Sequence, residues 1–369
     1  MSKIKFSGPF SMRLFSFLAI NKIALATYAR HALGRRLEPT WDAHFEIGIR
    51  FWRHQFTKAM AIDDMDKGRA LFDSLQTETD DIYEVTRTPS KGQNGMWHLP
   101  KASKSAATLL YLHGGGYTFH GAVSQRYADM LSHHSGARLF APDYRLTPEH
   151  PHPAQSDDAL AAWHHVRETT PAKQIVVIGD SAGGHMALSL LQHLKDAGEP
   201  QPALCIGLCP WTDIGDRGTS LRSNDHYDLV QGWMALKFGE WLDPKETFGR
   251  LCLSPIAYDY KGLAPIYLQA GGREILRDMI RDFAREQASK GADVLLDLWP
   301  DMAHNFQAYD SSRASSSDAL RRICAAIEAF AGTGPLITAG PVTEVCHGAA
   351  FSCPEVQSNT AAPAAQSSL

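Results

Sequence analysis

The six cysteines of this sequence, Cys205, Cys209, Cys252, Cys324, Cys346 and Cys353, include no Cys-x-x-Cys pair. That argues against a zinc site or a dithiol redox motif. With no secretory context, scattered cysteines read as reduced thiols, several of them core residues. The sequence also lacks Gly-x-x-x-x-Gly-Lys-Ser/Thr, and no Gly-x-Gly-x-x-Gly opens a helix, so nucleotide binding has little support. Thirty-six Lys+Arg stand against 40 Asp+Glu, a formal net charge of −4, and no basic stripe marks a nucleic-acid partner. No internal repeat is apparent. Long apolar runs are missing too. Leu14–Ile20 and Ile23–Tyr28 follow basic Lys3, Lys5 and Arg13, but Asn21-Lys22 separates them and Arg30, Arg35 and Arg36 come after. The stretch lacks a convincing cleavage site and is too broken to span a bilayer. It reads as an amphipathic helix covering an apolar pocket, with contact at a membrane interface as the second reading.

What the sequence does hold is a soluble globular composition, 44% hydrophobic and 21% charged over 369 residues. Residues 1–79 read as helices, over about 11–33, 40–60 and 63–75. From residue 80 strands begin to alternate with helices. Buried strands are expected at 106–112, 138–142, 175–178, 203–208, 265–271 and 294–299, with helices between them. This implies a mainly parallel sheet covered on both faces. Residues 211–250 interrupt the alternation, and after Thr333 the chain is rich in Ala, Gly, Pro, Ser and Thr.

The chemistry centres on Gly179-Asp180-Ser181-Ala182-Gly183. Ile175-Val176-Val177-Ile178 precede it and a helix-forming run follows. A serine on a sharp turn between strand and helix is held exposed above the sheet, and the flanking glycines relieve the crowding of so tight a bend. The N–H of Ala182 opens the helix and points toward charge developing near the serine. A hydroxyl is a weak nucleophile and needs a base. Of the 17 histidines, His304 alone follows the last predicted strand, at the same sheet edge as Ser181. An orienting carboxylate is expected from Glu274, in the loop after the preceding strand, rather than from Asp278, already inside the next helix. The chain order Ser, acid, His is that of the α/β-hydrolase triad. His113-Gly114-Gly115-Gly116 ends a buried strand, and its amides, with that of Ala182, suit an oxyanion hole. Tyr117, Phe119, Trp211, Tyr227 and Phe306 are the candidate pocket residues.

Four segments together, His113-Gly-Gly-Gly-Tyr117, Asp143-Tyr-Arg-Leu-Thr-Pro-Glu-His-Pro151, Gly179-Asp-Ser-Ala-Gly-Gly184 and Asp301-x-x-His304-x-Phe306, resemble the hormone-sensitive lipase family of carboxylesterases. The similarity covers roughly 80–210 and 262–331. It implies an α/β-hydrolase fold with a helical cap, and hydrolysis of short- or medium-chain carboxylic esters without metal or cofactor. The chain departs from the family's usual pattern at Glu274, where Asp is commoner, at His185, where Asn is, and at Thr147, where Ala is. The domain expectation is an N-terminal helical cap at 1–79, hydrolase core at 80–210 and 251–333, a cap insertion at 211–250 and a disordered tail at 334–369. The expected partner is a small-molecule ester, with a homodimer left open. Neither nucleic acid nor membrane contact is expected, and the compartment is cytoplasmic. Three rivals stand: an amidase or carbamate hydrolase with the same triad, a non-catalytic small-molecule receptor on the same scaffold, and a membrane-associated lipase working at a lipid surface through the N-terminal helix.

Overall fold

The computed structural model describes residues 3–77, 82–310, 312–332 and 334–353. Its strands are β1 (Ile4–Phe6), β2 (Leu75–Thr77), β3 (Val85–Pro89), β4 (Gly95–Pro100), β5 (Thr108–Leu112), β6 (Arg138–Pro142), β7 (Ile175–Asp180), β8 (Leu204–Leu208), β9 (Ile266–Gly271), β10 (Val294–Trp299) and β11 (Thr343–His347). The helices are α1 (Phe10–Ala32), α2 (Ala43–Met60), α3 (Met65–Phe72), α4 (Ala122–Ser135), α5 (Ala154–Arg167), α6 (Ala182–Asp196), α7 (Ser220–Ser223), α8 (Gly232–Leu242), α9 (Arg250–Leu253), α10 (Arg277–Lys290) and α11 (Ala314–Ala331). One sheet of nine strands runs β11-β10-β9-β8-β7-β5-β6-β4-β3. From β6 to β10 every neighbouring pair is parallel, while β3, β4 and β11 join antiparallel.

The inner strands β5, β7, β8 and β9 are buried along their whole length. That is why they read as continuous Val, Ile and Leu runs rather than as alternation. Two apolar layers sandwich the sheet: Leu110, Val177 and Leu268 face one, Leu109, Val176 and Tyr267 the other. Because the strands are parallel, their carboxyl ends share one edge, and every loop of interest emerges there.

Three sequence expectations are corrected. First, α1, the 23-residue helix expected over about 11–33, is by length and composition long enough to cross a membrane. Asn21 does not interrupt it, since its side chain donates back to the Phe17 carbonyl at 2.7 Å. Second, residues 334–353 are ordered. Val345 and Cys346 pair with Leu296 and Leu295 of β10, Ile337 and Phe351 are buried under α11, and Glu344 takes Arg281 at 2.7 Å and Arg285 at 2.5 Å. A few apolar anchors and one carboxylate suffice to hold this polar segment against the open side of β10. Residues 354–369 of the expected tail lie outside the described residues. Third, Cys346 and Cys353 are joined in a disulfide, while Cys205, Cys209, Cys252 and Cys324 are free.

The N-terminal helices are fastened to the sheet's carboxyl edge and to the 211–250 segment. Trp41 Nε1 donates to the Asp301 carbonyl at 2.6 Å and Thr40 Oγ1 to the Asp301 carboxylate at 2.6 Å. Arg69 of α3 donates to the Thr118 and Thr147 carbonyls and pairs with Glu149. Arg53 of α2 pairs with Asp225 at 2.6 Å, and Gln231 donates to Thr57 of α2.

Candidate active site

Ser181 is the turn residue between β7 and α6, with φ 55° and ψ −118°. Such a left-handed conformation at a non-glycine residue costs about 1–3 kcal/mol and persists only where its surroundings fix it. Here they do. The Ser181 N–H donates to the Leu208 carbonyl at 2.9 Å, and its carbonyl accepts from His185 and Trp211. Close packing explains Gly183: a Cβ there would run into the Leu112 carbonyl of β5.

Asp180, one residue earlier, ties three loops together. Its Oδ1 accepts from Tyr111 Oη at 2.6 Å and the Gly114 amide at 2.8 Å, and its Oδ2 from Asn305 Nδ2 at 2.8 Å. Burial pushes this carboxyl up against the pull of those donors and of His304. The bond to Gly114 corrects one expectation: that amide is already committed, so Gly114 is not a free oxyanion donor. Gly115 and Gly116 adopt φ 100° and 63°, and among the described residues their amides have no acceptor. Ala182 is the first residue of α6, so its N–H has no intrahelical partner.

His304 follows β10 and Glu274 follows β9. His304 Nδ1 and Glu274 Oε2 lie 2.7 Å apart, with both side chains buried. The other oxygen, Oε1, accepts the Gly271 amide at 2.7 Å, so the extra methylene of Glu is taken up by a fixed, bidentate seat. Burial by itself would lower the His304 pKa. The bond to Glu274 and the charges of Glu274, Asp228 and Asp180 outweigh it, and the net shift is upward from 6.5. With Nδ1 engaged, Nε2 is the nitrogen left for the cavity. Asp278 is used elsewhere: its Oδ2 accepts the Thr219 and Ser220 amides and its Oδ1 pairs with Arg277. Among the described residues no hydrogen bond joins the Ser181 hydroxyl to the imidazole. In unliganded hydrolases this contact is often long and tightens around substrate.

Sequence reading missed Asp228. It lies in the 211–250 segment, fully buried, and accepts from the Ile275 amide at 2.7 Å and the Leu229 amide at 2.7 Å, with the His304 amide at 3.3 Å. It therefore holds the loops of Glu274 and His304 to each other. Burial raises its carboxyl to about 6, with His304 pulling it down and Glu274 pushing it up. No motif marks it, because its partners are backbone amides brought close only by the fold. Cys209, at φ 49°, adds its Sγ beside Glu274 and accepts the Asn305 amide at 3.4 Å. Although Cys209, Glu274 and His304 present ligand atoms within 4.8 Å of one another, these atoms bond to each other and to backbone, and burial drives the thiol well above its usual range. That is a hydrogen-bonded cluster rather than an open cation site.

Ser181, His304, Gly115 and Gly116 line one cavity of about 780 Å³. That volume is in the range of small-molecule sites. Its other walls are mainly apolar: Phe51, Trp52 and Phe56 of α2, Leu229 and Val230, and Phe238 of α8. Of the five candidate pocket residues, Phe119 and Trp211 line it. The other three do not. Tyr117 is buried with its hydroxyl on His185 Nδ1, Tyr227 packs beneath Arg273 and against Trp41, and Phe306 is sealed against Trp299. His185 in turn bonds the Leu253 carbonyl through Nε2, and burial lowers its pKa to about 4, so it is a neutral bridge.

Residues 109–308 match a family model described as the α/β-hydrolase fold. An acetyl-hydrolase of Streptomyces hygroscopicus is 32% identical over 253 residues, 66% of this chain and 81% of that protein. A solved mutant of the esterase E40 superposes with a TM-score of 0.68 at 28% identity, over 76% of this chain and 97% of that one. A solved esterase of the bacterial hormone-sensitive lipase family gives 0.65 at 25% identity, over 85% and 98%. With its turn serine, its buried imidazole and carboxylate and its His-Gly-Gly-Gly loop on one sheet edge, the chain belongs to the hormone-sensitive lipase family of α/β-hydrolases.

Proposed function

We propose that the protein is a serine carboxylesterase acting on short- to medium-chain carboxylic esters, and that the helices at 1–79 and the 211–250 segment form its cap. The observation that carries this reading is the meeting of Ser181, a His304 already held by Glu274, and two acceptor-free amides in one apolar cavity. Ser181 Oγ attacks the acyl carbon while His304 Nε2 takes its proton. Gly115, Gly116 and Ala182 donate to the oxyanion, and losing one such donor typically costs about 3–4 kcal/mol of barrier. The imidazolium, stabilised by Glu274, returns the proton to the leaving alcohol. Water, deprotonated by the same nitrogen, then releases the acid and frees Ser181. The apolar walls suit an alkyl acyl chain. The buried His304–Glu274 pair speaks against a receptor that has lost its chemistry. The proposal keeps the cytoplasm as compartment, in line with four free cysteines, although the Cys346–Cys353 disulfide is a feature commoner outside it.

A ladder of p-nitrophenyl acyl esters from acetate to palmitate is the direct test. Turnover should be highest for short and medium chains, with matched anilides far slower. A protein that bound these esters without releasing nitrophenol would be a receptor, and one faster on the anilides an amidase.

Asp228 gives a second test. Neutral His304 is the base, so kcat/KM falls as pH drops through its raised pKa, and the acidic limb lies above 6.5. Asp228 is ionised in that range and favours the imidazolium. Asp228→Asn removes the charge, so the acidic limb should move to lower pH. The asparagine NH₂ also faces an amide that the carboxylate had accepted, and an unmet buried donor costs about 1–3 kcal/mol, so the melting temperature should fall. A limb that stayed in place would detach Asp228 from His304.

A further inference from the structure

Helix α1 is turned the wrong way round for a helix buried on one side. On a helical wheel, Phe10, Leu14, Phe17, Leu18, Leu25 and Tyr28 fall within an arc of about 100°. All six are exposed, Leu25 at 75%, Phe10 at 70% and Leu18 at 57%. The opposite face carries Ser16 and Thr27, both fully buried. Ser16 is fixed there by Ser74 at 2.6 Å and Gln55 at 2.9 Å, so the helix is anchored through this small polar residue and presents its bulky apolar ones outward.

Charge adds a second, independent observation. Up to residue 37 the chain has seven Lys and Arg and not one Asp or Glu. Arg13 and Lys22 flank the apolar arc on either side, where long basic side chains can reach past an apolar face. Of the first acids after them, Glu38 pairs with Arg273 and Glu46, fully buried, with Arg50 and His31, while the exposed Asp42 pairs with Arg313. At the start of the neighbouring α3, the capping Asp64 pairs with Lys67, and Asp66 pairs with Arg69.

We infer that α1 lies in the plane of an anionic lipid surface, seating this apolar face among the acyl chains with its basic flanks at the headgroups. An apolar face with Lys and Arg at its margins is the physical signature of an interfacial helix. The anchorage of Ser16 and the burial of Thr27 on the protein side favour lying over spanning. Ile20, on the inward side of α1, and Ile4 of β1 line the cavity, so the seated helix is also a wall of the site.

Co-sedimentation of the full chain with phosphatidylglycerol/phosphatidylcholine vesicles tests this. Wild type should pellet with them, bind pure phosphatidylcholine far more weakly and be released by carbonate. Leu14→Glu/Leu18→Glu/Leu25→Glu should weaken partitioning on the order of 100-fold or more. Because all three positions face solvent, turnover of dissolved p-nitrophenyl acetate should be unchanged. Lys5→Gln/Arg13→Gln/Lys22→Gln should weaken it to a similar extent, with a reduced salt dependence. Four results would each overturn the inference: a wild type that stays in the supernatant at low salt, glutamate variants that pellet as well as wild type, retention after carbonate, or a wild-type dimer that those glutamates dissolve without any vesicle binding.

Discussion

Ser181→Ala abolishes ester turnover while the fold survives. Removal of the nucleophile of a hydrolase triad lowers kcat by a factor on the order of 10⁶, because base and carboxylate act only through that oxygen. What persists is the modest catalysis of the oxyanion amides and the bound geometry, about 10³–10⁴ over water. The fold should tolerate the change, since Ser181 is held through its backbone, by Leu208, His185 and Trp211, and not through its hydroxyl. Alanine, like serine, must still adopt the strained φ of 55°, so thermal stability should stay within about 1 kcal/mol. The measurement is p-nitrophenyl butyrate hydrolysis set beside a melting curve. A variant with wild-type turnover would move the nucleophile elsewhere and take the proposed mechanism with it.

The reach of sequence reading followed from what each feature depends on. Ser181, His304 and Glu274 were legible because parallel strands deliver their following loops to one edge, so order along the chain became proximity in space. Strands β5 and β7 were legible because burial on both faces leaves no room for polar alternation. Gly114 was not, since the same glycine run offers three amides, and only the folded position of Asp180 decides which one is consumed. Tyr117, Tyr227 and Phe306 look no different in sequence from Phe119 and Trp211, yet they fill the core or pack beneath Arg273. The strand at 343–347 was hidden because its pairing with β10 is made by backbone, and Ile337 and Phe351 are sparse anchors in a polar stretch. The direction in which α1 faces was equally hidden. Its apolar residues define a stripe, and a stripe reads the same whether it is turned to the protein or away from it.

Glu274→Gln should lower kcat by about 10⁴, the scale seen when a triad carboxylate becomes an amide that favours the wrong imidazole tautomer. Glu274 Oε1 takes the Gly271 amide and Oε2 the His304 Nδ1–H, so both oxygens act as acceptors. Glutamine supplies one. If its oxygen stays on Gly271, its NH₂ faces Nδ1 and shifts the imidazole proton to Nε2, the atom that has to accept from Ser181. If it flips, a buried donor is set against the Gly271 N–H. Either arrangement strips the imidazolium of its counter-charge. Asp278→Asn is the matched control: it sits four residues on, but its carboxylate serves Thr219, Ser220 and Arg277. It should lose stability by about 1 kcal/mol and less than tenfold in kcat. Substrate binding, which rests on the apolar walls, should change little in the glutamine variant, so KM should hold while kcat falls. Were Asp278→Asn the more damaging of the two, the acid of the triad would have to be reassigned, and the 2.7 Å His304–Glu274 contact would be a structural bond only.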